Sequence, residues 1–217
     1  MTVSEPCISA VILAAGLGSR FGSAPKMLAP YAGRPMVRRA AEAALASAAR
    51  PVVAVLGAHA GAVRDALAGL DLTLVENLDP AAGLSASLRV GLAALPPETE
   101  AAVVLLGDMP RIEAAHIDSL IAAYAAAEPR PSAVVPVSVG RRGNPVLLDL
   151  TRLAADLAAL TGDRGAGPLL RRRGDVLEVP ADPAVIFDVD TPEGLGAEAG
   201  QVLRAARFAS ARQRSEQ

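Results

Sequence analysis

Short apolar runs recur along the chain, each closed by glycine, proline or an acid, and each followed by an alanine-rich stretch of helical period. The runs at 8–14, 51–56, 72–75, 101–106 and 133–137 hardly alternate apolar with polar positions, and a strand covered on both faces need not. Between them, 36–49, 61–68, 84–95 and 114–127 read as helices, the last two stopped by Pro96-Pro97 and by Pro129 and Pro131. Such alternation predicts an α/β protein with an open, mostly parallel sheet and helices on both faces. Beyond 137 the rhythm changes. Residues 140–144 read as a turn and 145–148 as a short strand that forms a hairpin with 133–137, which makes the sheet mixed. Helices at 150–160 and 164–173 follow, then strand candidates at 175–179 and 184–187. A last helix begins after Asp188-Val-Asp190, with Thr191 as its cap and Pro192 at its first position. Residues 1–209 are read as one domain and the polar 210–217 as a frayed tail. No internal repeat is present.

The first strand runs into Gly16-Leu-Gly-Ser-Arg-Phe-Gly22-Ser-Ala-Pro-Lys26, and the next helix starts only near Pro35. Strand-to-helix connections of this kind usually have about 2–6 residues, so this loop is more than a connector. Gly16, Gly18 and Gly22 permit positive φ and close backbone approach. Exposed N–H groups with Arg20 and Lys26 beside them make an anion cradle. No acid lies between Glu5 and Glu42, whereas Arg20, Lys26, Arg34, Arg38 and Arg39 do. A polyphosphate is the simplest ligand for that field. A dinucleotide fold would show G-x-G-x-x-G and an acid about 20 residues on. Here Gly22 comes one residue late and Leu56-Gly-Ala-His59 stands where the acid belongs. A Walker loop needs Gly-Lys-Ser/Thr, and Lys26 lies between Pro25 and Met27.

Ligands of open α/β sheets bind beyond the carboxyl ends of the strands. That rule brings the 16–26 loop, the 77–87 stretch and Asp108 to one edge. Asp108 follows the apolar strand directly, and a lone carboxylate there suits Mg²⁺, which completes its shell with waters and phosphate oxygens. Asp188 and Asp190 are candidates for a second ligand, with Asp190 favoured.

Composition narrows the partners. The chain has 217 residues, 52% of them hydrophobic but only 2% aromatic, so Ala, Leu and Val build the core. A net charge of −2 argues against general attraction to nucleic acid or membrane, and anion binding must come from a local cluster. Cys7 is alone, which excludes a disulfide framework and a thiolate metal site. The run Arg171-Arg172-Arg173 reads as a solvated helix end, and His59 and His116 read as structural. No stretch reads as a signal peptide or as a membrane span of roughly 18 apolar residues. A soluble, cytoplasmic protein is the expectation.

Five motifs then fall into one order: Leu13-Ala-Ala-Gly-Leu-Gly-Ser-Arg-Phe-Gly22 with Lys26, Gly83-Leu-Ser-Ala-Ser-Leu88, Gly107-Asp-Met-Pro110, Gly143-Asn-Pro145 and Asp188-Val-Asp-Thr-Pro-Glu193. In this the chain resembles the MobA-like nucleotidyltransferases, and among them the molybdenum cofactor cytidylyltransferases. The resemblance implies a Rossmann-like, three-layer nucleotidyltransferase fold. It implies that the opening loop, Gly18 included, wraps a nucleoside triphosphate. The backbone of Leu13, Ala14, Ala15 and Gly16 would lie against the base, and Arg20 and Lys26 would hold the phosphates. Ser85 and Ser87 would lie near base and ribose. Asn144 with Pro145 would hold the acceptor, and Asp108 would bind Mg²⁺. Relatives that transfer guanylyl groups usually show Leu-Ala-Gly-Gly, so Ala14-Ala15-Gly16 points to CTP. The stretch Asp163-Arg-Gly-Ala-Gly167 departs from the usual Gly-Asp-Gly-Ala-Arg. The reaction implied is attack of the molybdopterin phosphate on the α-phosphorus of CTP with loss of pyrophosphate, and a molybdenum hydroxylase is the expected recipient of the product. No general base is needed, because the phosphate nucleophile is already ionised. An NAD(P)-dependent oxidoreductase of the nicotine blue type, a sugar-1-phosphate nucleotidyltransferase and a non-catalytic cofactor chaperone are the alternatives.

Overall fold

The first apolar run forms strand β1 (Ile8–Ala14), and all of its side chains are buried. Its alternate residues serve two cores. Ile8, Ala10, Ile12 and Ala14 enter one apolar cluster, while Val11 and Leu13, followed by Ala15, enter another. A strand in that position needs apolar residues at successive positions, which is why its sequence does not alternate. The computed structural model describes residues 6–16 and 25–189.

Past Lys26 a small antiparallel ribbon forms, β2 (Pro30–Tyr31) with β3 (Arg34–Pro35). The main sequence of elements is then α1 (Met36–Ala46), β4 (Val52–Leu56), α2 (Ala60–Ala66), β5 (Thr73–Glu76), α3 (Leu84–Ala93), β6 (Ala101–Leu106) and α4 (Ala114–Ala126). The second half adds β7 (Ala133–Ser138), β8 (Arg141–Arg142), β9 (Val146–Asp149), α5 (Ala154–Ala158), α6 (Gly167–Arg171) and β10 (Val176–Pro180). The sheet runs β10-β7-β9-β6-β1-β4-β5, with β8 paired to β7. β9 is antiparallel to both of its neighbours, and the other adjacent pairs along that path are parallel. The mixed, mostly parallel sheet is therefore the one predicted. The turn at 140–144 holds β8, which takes the tight pairing with β7, while β9 joins β7 lower down at Ala133 and Val134. Helices α1, α2 and α4 cover one face through Val37, Ala41, Val63, Ile117 and Leu120. Helices α3, α5 and α6 cover the other through Leu88, Leu157 and Leu170, which completes three layers. Among the described residues no helix is long and apolar enough to cross a membrane.

Several elements end earlier than predicted, each for a local reason. Helix α1 stops at Ala46 because the Ser47 hydroxyl turns back to donate to the Ala44 carbonyl at 2.7 Å. The expected helix over 150–160 shrinks to α5. Asp149 Oδ1 accepts the N–H groups of Thr151 and Arg152, which holds the preceding residues in turns. The strand expected at 184–187 is instead a 3-10 turn over Pro183–Ile186. Asp182 caps it by accepting the Ala184 N–H at 2.7 Å, and Pro183 fits the first position. The helix expected after Thr191 lies outside the described residues.

The buried Tyr124 hydroxyl donates to Asp149 Oδ2 at 2.8 Å and ties α4 to the end of β9. Burial, with the Asp149 carboxylate beside it, pushes the phenol from its usual 10.0 up to about 12. A group whose folded value is raised gives stability that is complete below its unfolded value and lost as pH rises through the folded one. The contribution is thus full below pH 10 and gone above about 12. Phenolate absorbance of the folded protein should show this late titration. Tyr124→Phe should abolish it and cost about 1.5–3 kcal/mol in urea unfolding at pH 8.

Candidate active site

Strand β1 is where the order of the chain reverses. β4 and β5 lie on one side of it, and the chain then crosses to place β6 on the other. The crevice beyond the carboxyl ends at such a reversal is where open α/β sheets bind ligands. Leu13 of β1 pairs with Leu106 of β6, and the Gly107 N–H donates to the Leu13 carbonyl at 3.0 Å. Glycine leaves room for this closure, since a Cβ at 107 would sit 2.7 Å from Met27 Sδ and would have to push that side chain aside. Asp108 is thereby held next to the end of β1.

Lys26 Nζ lies 2.8 Å from Asp108 Oδ2, with the two side chains only 13% and 18% exposed. The other carboxylate oxygen, Asp108 Oδ1, is buried and has no hydrogen-bond partner among the described residues. A bare buried acceptor is costly unless a ligand completes it. Among the described residues no group of three His, Cys, Asp or Glu could hold a cation by itself. The donor set therefore suits an ion that takes one or two carboxylates and draws its remaining oxygens from substrate and water, as Mg²⁺ does.

The segment bearing Asp188 approaches this edge through its neighbours. Val189 is buried with Tyr31 and Met36. Arg111 Nε donates to the Tyr31 hydroxyl at 2.8 Å, and the Arg111 guanidinium lies 3.9 Å from the Phe187 ring centroid. The turn after Asp108, the β2–β3 ribbon and residues 187–189 are thus joined. Gly18, Arg20 and Asp190, all singled out from the sequence, lie outside the described residues. The acid-free cationic stretch needs a correction. Arg34 and Arg38 both bind Glu42, at 2.7 and 3.1 Å. Although burial alone would raise it, the two arginines hold the Glu42 carboxyl below its ordinary range. Arg39 Nε donates to the Pro110 carbonyl at 2.9 Å. These three arginines brace α1, and of the five cations in that stretch Lys26 is the described one that meets Asp108.

A cavity of about 380 Å³ opens at this edge, walled by Leu13, Ala15, Gly16, Gly83, Ser87 and Asp108 among others. Asn77 Nδ2 donates to Ser87 Oγ at 3.0 Å, both residues being buried. Sequence placed Asn77 on this edge only as part of a turn; a polar amide just beyond a strand end was the available signal. Two expected residues stand back. Ser85 is wholly buried and is not part of the wall, and its N–H donates to the Gly162 carbonyl. Ala14 belongs to the apolar cluster on the opposite face. Asp163, from the stretch with the unusual motif, lines the same cavity as Asp108.

A second cavity of about 610 Å³ shares Leu13, Leu84 and Leu106 with the first. Asn144 lines it, fixed by its N–H bond to the Val185 carbonyl at 2.8 Å. Pro145 is buried and takes no part in the wall. Arg141, Arg142, Arg164 and Arg171 line this cavity too, none of them marked beforehand as site residues. Arg173, by contrast, is held by Asp156 and Asp175, each at 2.8 Å, as a structural helix end would be. His116 is structural as expected: Nδ1 accepts the Glu113 N–H, and Nε2 lies 3.1 Å from Asp182 Oδ2. The Ala184 N–H, then His116, holds the Asp182 carboxyl below its ordinary range.

Residues 10–176 match the MobA-like NTP transferase domain. Nicotine blue oxidoreductase of Paenarthrobacter nicotinovorans is 34% identical over 194 residues, which covers 87% of this chain and 94% of that protein. The bifunctional protein GlmU of Kineococcus radiotolerans is 39% identical over 128 residues; the match spans 57% of this chain but only 26% of that longer protein. Among solved structures, Rv0371c of Mycobacterium tuberculosis superposes with a TM-score of 0.77 at 30% identity, covering 91% of this chain and 100% of that one. The same protein in complex with manganese gives a TM-score of 0.71 at 30% identity over 88% of this chain and 96% of that one. A nucleotidyl transferase from Methanothermobacter gives 0.77 at 26% identity, over 92% of this chain and 99% of that one.

Proposed function

The chain belongs to the family of MobA-like NTP transferase domains, and on that premise we propose that it moves a cytidylyl group from CTP to the phosphate of a molybdopterin-type acceptor, releasing pyrophosphate. The observation that carries this reading is the pairing of two cavities across Leu13, Leu84 and Leu106, one with Lys26 and the half-satisfied Asp108 at its edge. Transfer between two phosphates asks the protein for alignment and charge neutralisation more than for covalent chemistry. At the edge of the first cavity Lys26 takes the triphosphate and steadies charge on the departing pyrophosphate, and Arg20, outside the described residues, would share that role. Gly16 and Gly18 let the loop backbone approach it, and Ser87, oriented by Asn77, faces the nucleoside. Ala15 lines this cavity, and its methyl leaves less room than glycine would, which favours the smaller pyrimidine base. In the second cavity Asn144 faces the acceptor.

Asp108, with Asp190 or Asp188, would hold Mg²⁺. The bound ion would supply a Lewis acid beside the reacting phosphates. The manganese complex of the related Rv0371c supports use of a divalent cation. A molybdenum hydroxylase is the natural recipient of the product.

The test is pyrophosphate release from CTP, Mg²⁺ and molybdopterin, with kcat/KM for CTP exceeding that for GTP by about tenfold or more. Release with GTP in preference to CTP would overturn the choice of donor. A second reading has one observation in its favour, the end-to-end similarity to an oxidoreductase. It expects NAD(P)H absorbance to fall with no pyrophosphate formed. Against it stands the end of β4, where Gly57-Ala-His59 offers no acid for a dinucleotide ribose.

A further inference from the structure

The second cavity carries a charge pattern that the transfer reaction does not by itself require. Its floor is apolar, made by Leu88, Val104, Val135 and Leu148, and its volume of about 610 Å³ suits a small-molecule site. Its mouth holds four arginines against a single glutamate. Glu178 is already engaged, because Arg142 Nε donates to it at 2.7 Å and Arg142 Nη1 to the Leu170 carbonyl at 3.0 Å. The side chains of Arg141, Arg164 and Arg171 have no ion pair or hydrogen bond among the described residues. They come from three separate segments, β8, the turn after Asp163 and the end of α6, so no single helix or loop accounts for their convergence. Three like charges at one opening repel one another, in a chain whose net charge is −2.

Arg171 Nη1 passes near Gly167, where a Cβ would lie 3.7 Å from it, and Arg171 lines the cavity. Arg164 directly follows Asp163, which walls the nucleotide-side cavity, so the cationic rim reaches the junction of the two spaces. Guanidinium groups present forks that fit carboxylate or phosphate oxygens. An apolar floor beneath them gains nothing from a bare hydrated ion and needs an organic body to cover it.

We propose that this cavity selects an oxyanion carried on an apolar, ring-sized body, and that Arg141, Arg164 and Arg171 are its specificity-determining contacts. The inference rests on the transfer reading only in calling that ligand the acceptor.

Binding of four probes to the full chain tests it by calorimetry: 1-naphthyl phosphate, 1-naphthoate, 1-naphthol and inorganic phosphate. At least one of the two naphthyl anions should bind about tenfold or more tightly than naphthol and inorganic phosphate, and the tighter of the two identifies the oxyanion. Arg141→Gln and Arg171→Gln should each weaken the naphthyl anion by about three- to tenfold and leave naphthol unchanged. The triple variant with Arg164→Gln should bind anion and naphthol alike. Its melting temperature separates lost binding from lost fold, and the single variants serve if it melts early. Equal binding of naphthol and both anions by the unaltered protein, or selectivity that survives the triple variant, overturns the proposal. Lys26→Met should lose CTP but keep the naphthyl anion. A protein that ignores CTP yet shows the anion selectivity would sink the transfer reading and leave this one standing.

Discussion

Asp108→Asn should lower turnover with CTP by about 10²–10³-fold while the melting temperature hardly moves. The amide retains an oxygen that can accept from Lys26, so the contact at 2.8 Å survives as a neutral hydrogen bond. What disappears is the charge on Oδ1, the buried oxygen with no described partner, which is the part of the group free to serve a ligand. Alanine is the poorer probe. It would strip a half-buried ammonium of its carboxylate, and removing one member of such a pair destabilises the protein on its own account. Lys26→Met should cost about as much in turnover as Asp108→Asn. Both side chains serve the same phosphates, and groups that act as a unit are not additive when removed together. The double variant should therefore be only slightly worse than either single one, with steady-state pyrophosphate release as the measure. Penalties that multiply would show that the two act at separate steps.

The parts of this site that local chemistry decides were legible beforehand. β1 and β6 have the bounds read from their apolar runs, because both are buried on two faces and end where a glycine or an acid must leave the sheet. The reversal of strand order next to β1 then places Leu13, Ser87 and Asp108 around one space. Features decided by tertiary pairing were not legible. The β2–β3 ribbon has two residues per strand, too few for any period to show. Counting cations suggested a phosphate field over Arg34, Arg38 and Arg39. Yet Glu42 lies one helical turn from Arg38 and accepts from Arg34 as well, while Arg39 is drawn to Pro110 across the fold. The run of three arginines at 171–173 reads as solvated, and Arg171 is exposed, at the mouth of a cavity that the run alone does not reveal, whereas Arg173 is drawn to Asp156 and Asp175. Ala-Val-Ile-Phe at 184–187 looks like strand, but the Asp182 cap and Pro183 fix the backbone first.

Gly83→Ala should damage stability and catalysis together. Gly83 has φ +93° and ψ −178°, a region that side chains with a Cβ essentially avoid, at a cost of about 1–3 kcal/mol. Space is also lacking. A Cβ there would collide with Asp163 Oδ1 and come within 2.7 Å of the Gly162 backbone. The aspartate can rotate away, but Gly162 cannot, because its carbonyl accepts the Ser85 N–H at 3.1 Å and pins the turn to the start of α3. Relief therefore requires that the whole turn shift. That turn carries Asp163 into the wall of one cavity and Arg164 into the wall of the other, so one methyl group disturbs both. A loss of about 2–4 kcal/mol in urea unfolding is expected. A misplacement near 1 Å at the reacting ends should lower kcat/KM by about 10²-fold. Adding Asp163→Gly removes the side-chain clash but neither the backbone one nor the strained φ, so it should restore only a minor part of both. Full recovery in the double variant would mean that the turn is not pinned, and that the two cavities are built independently of Gly83.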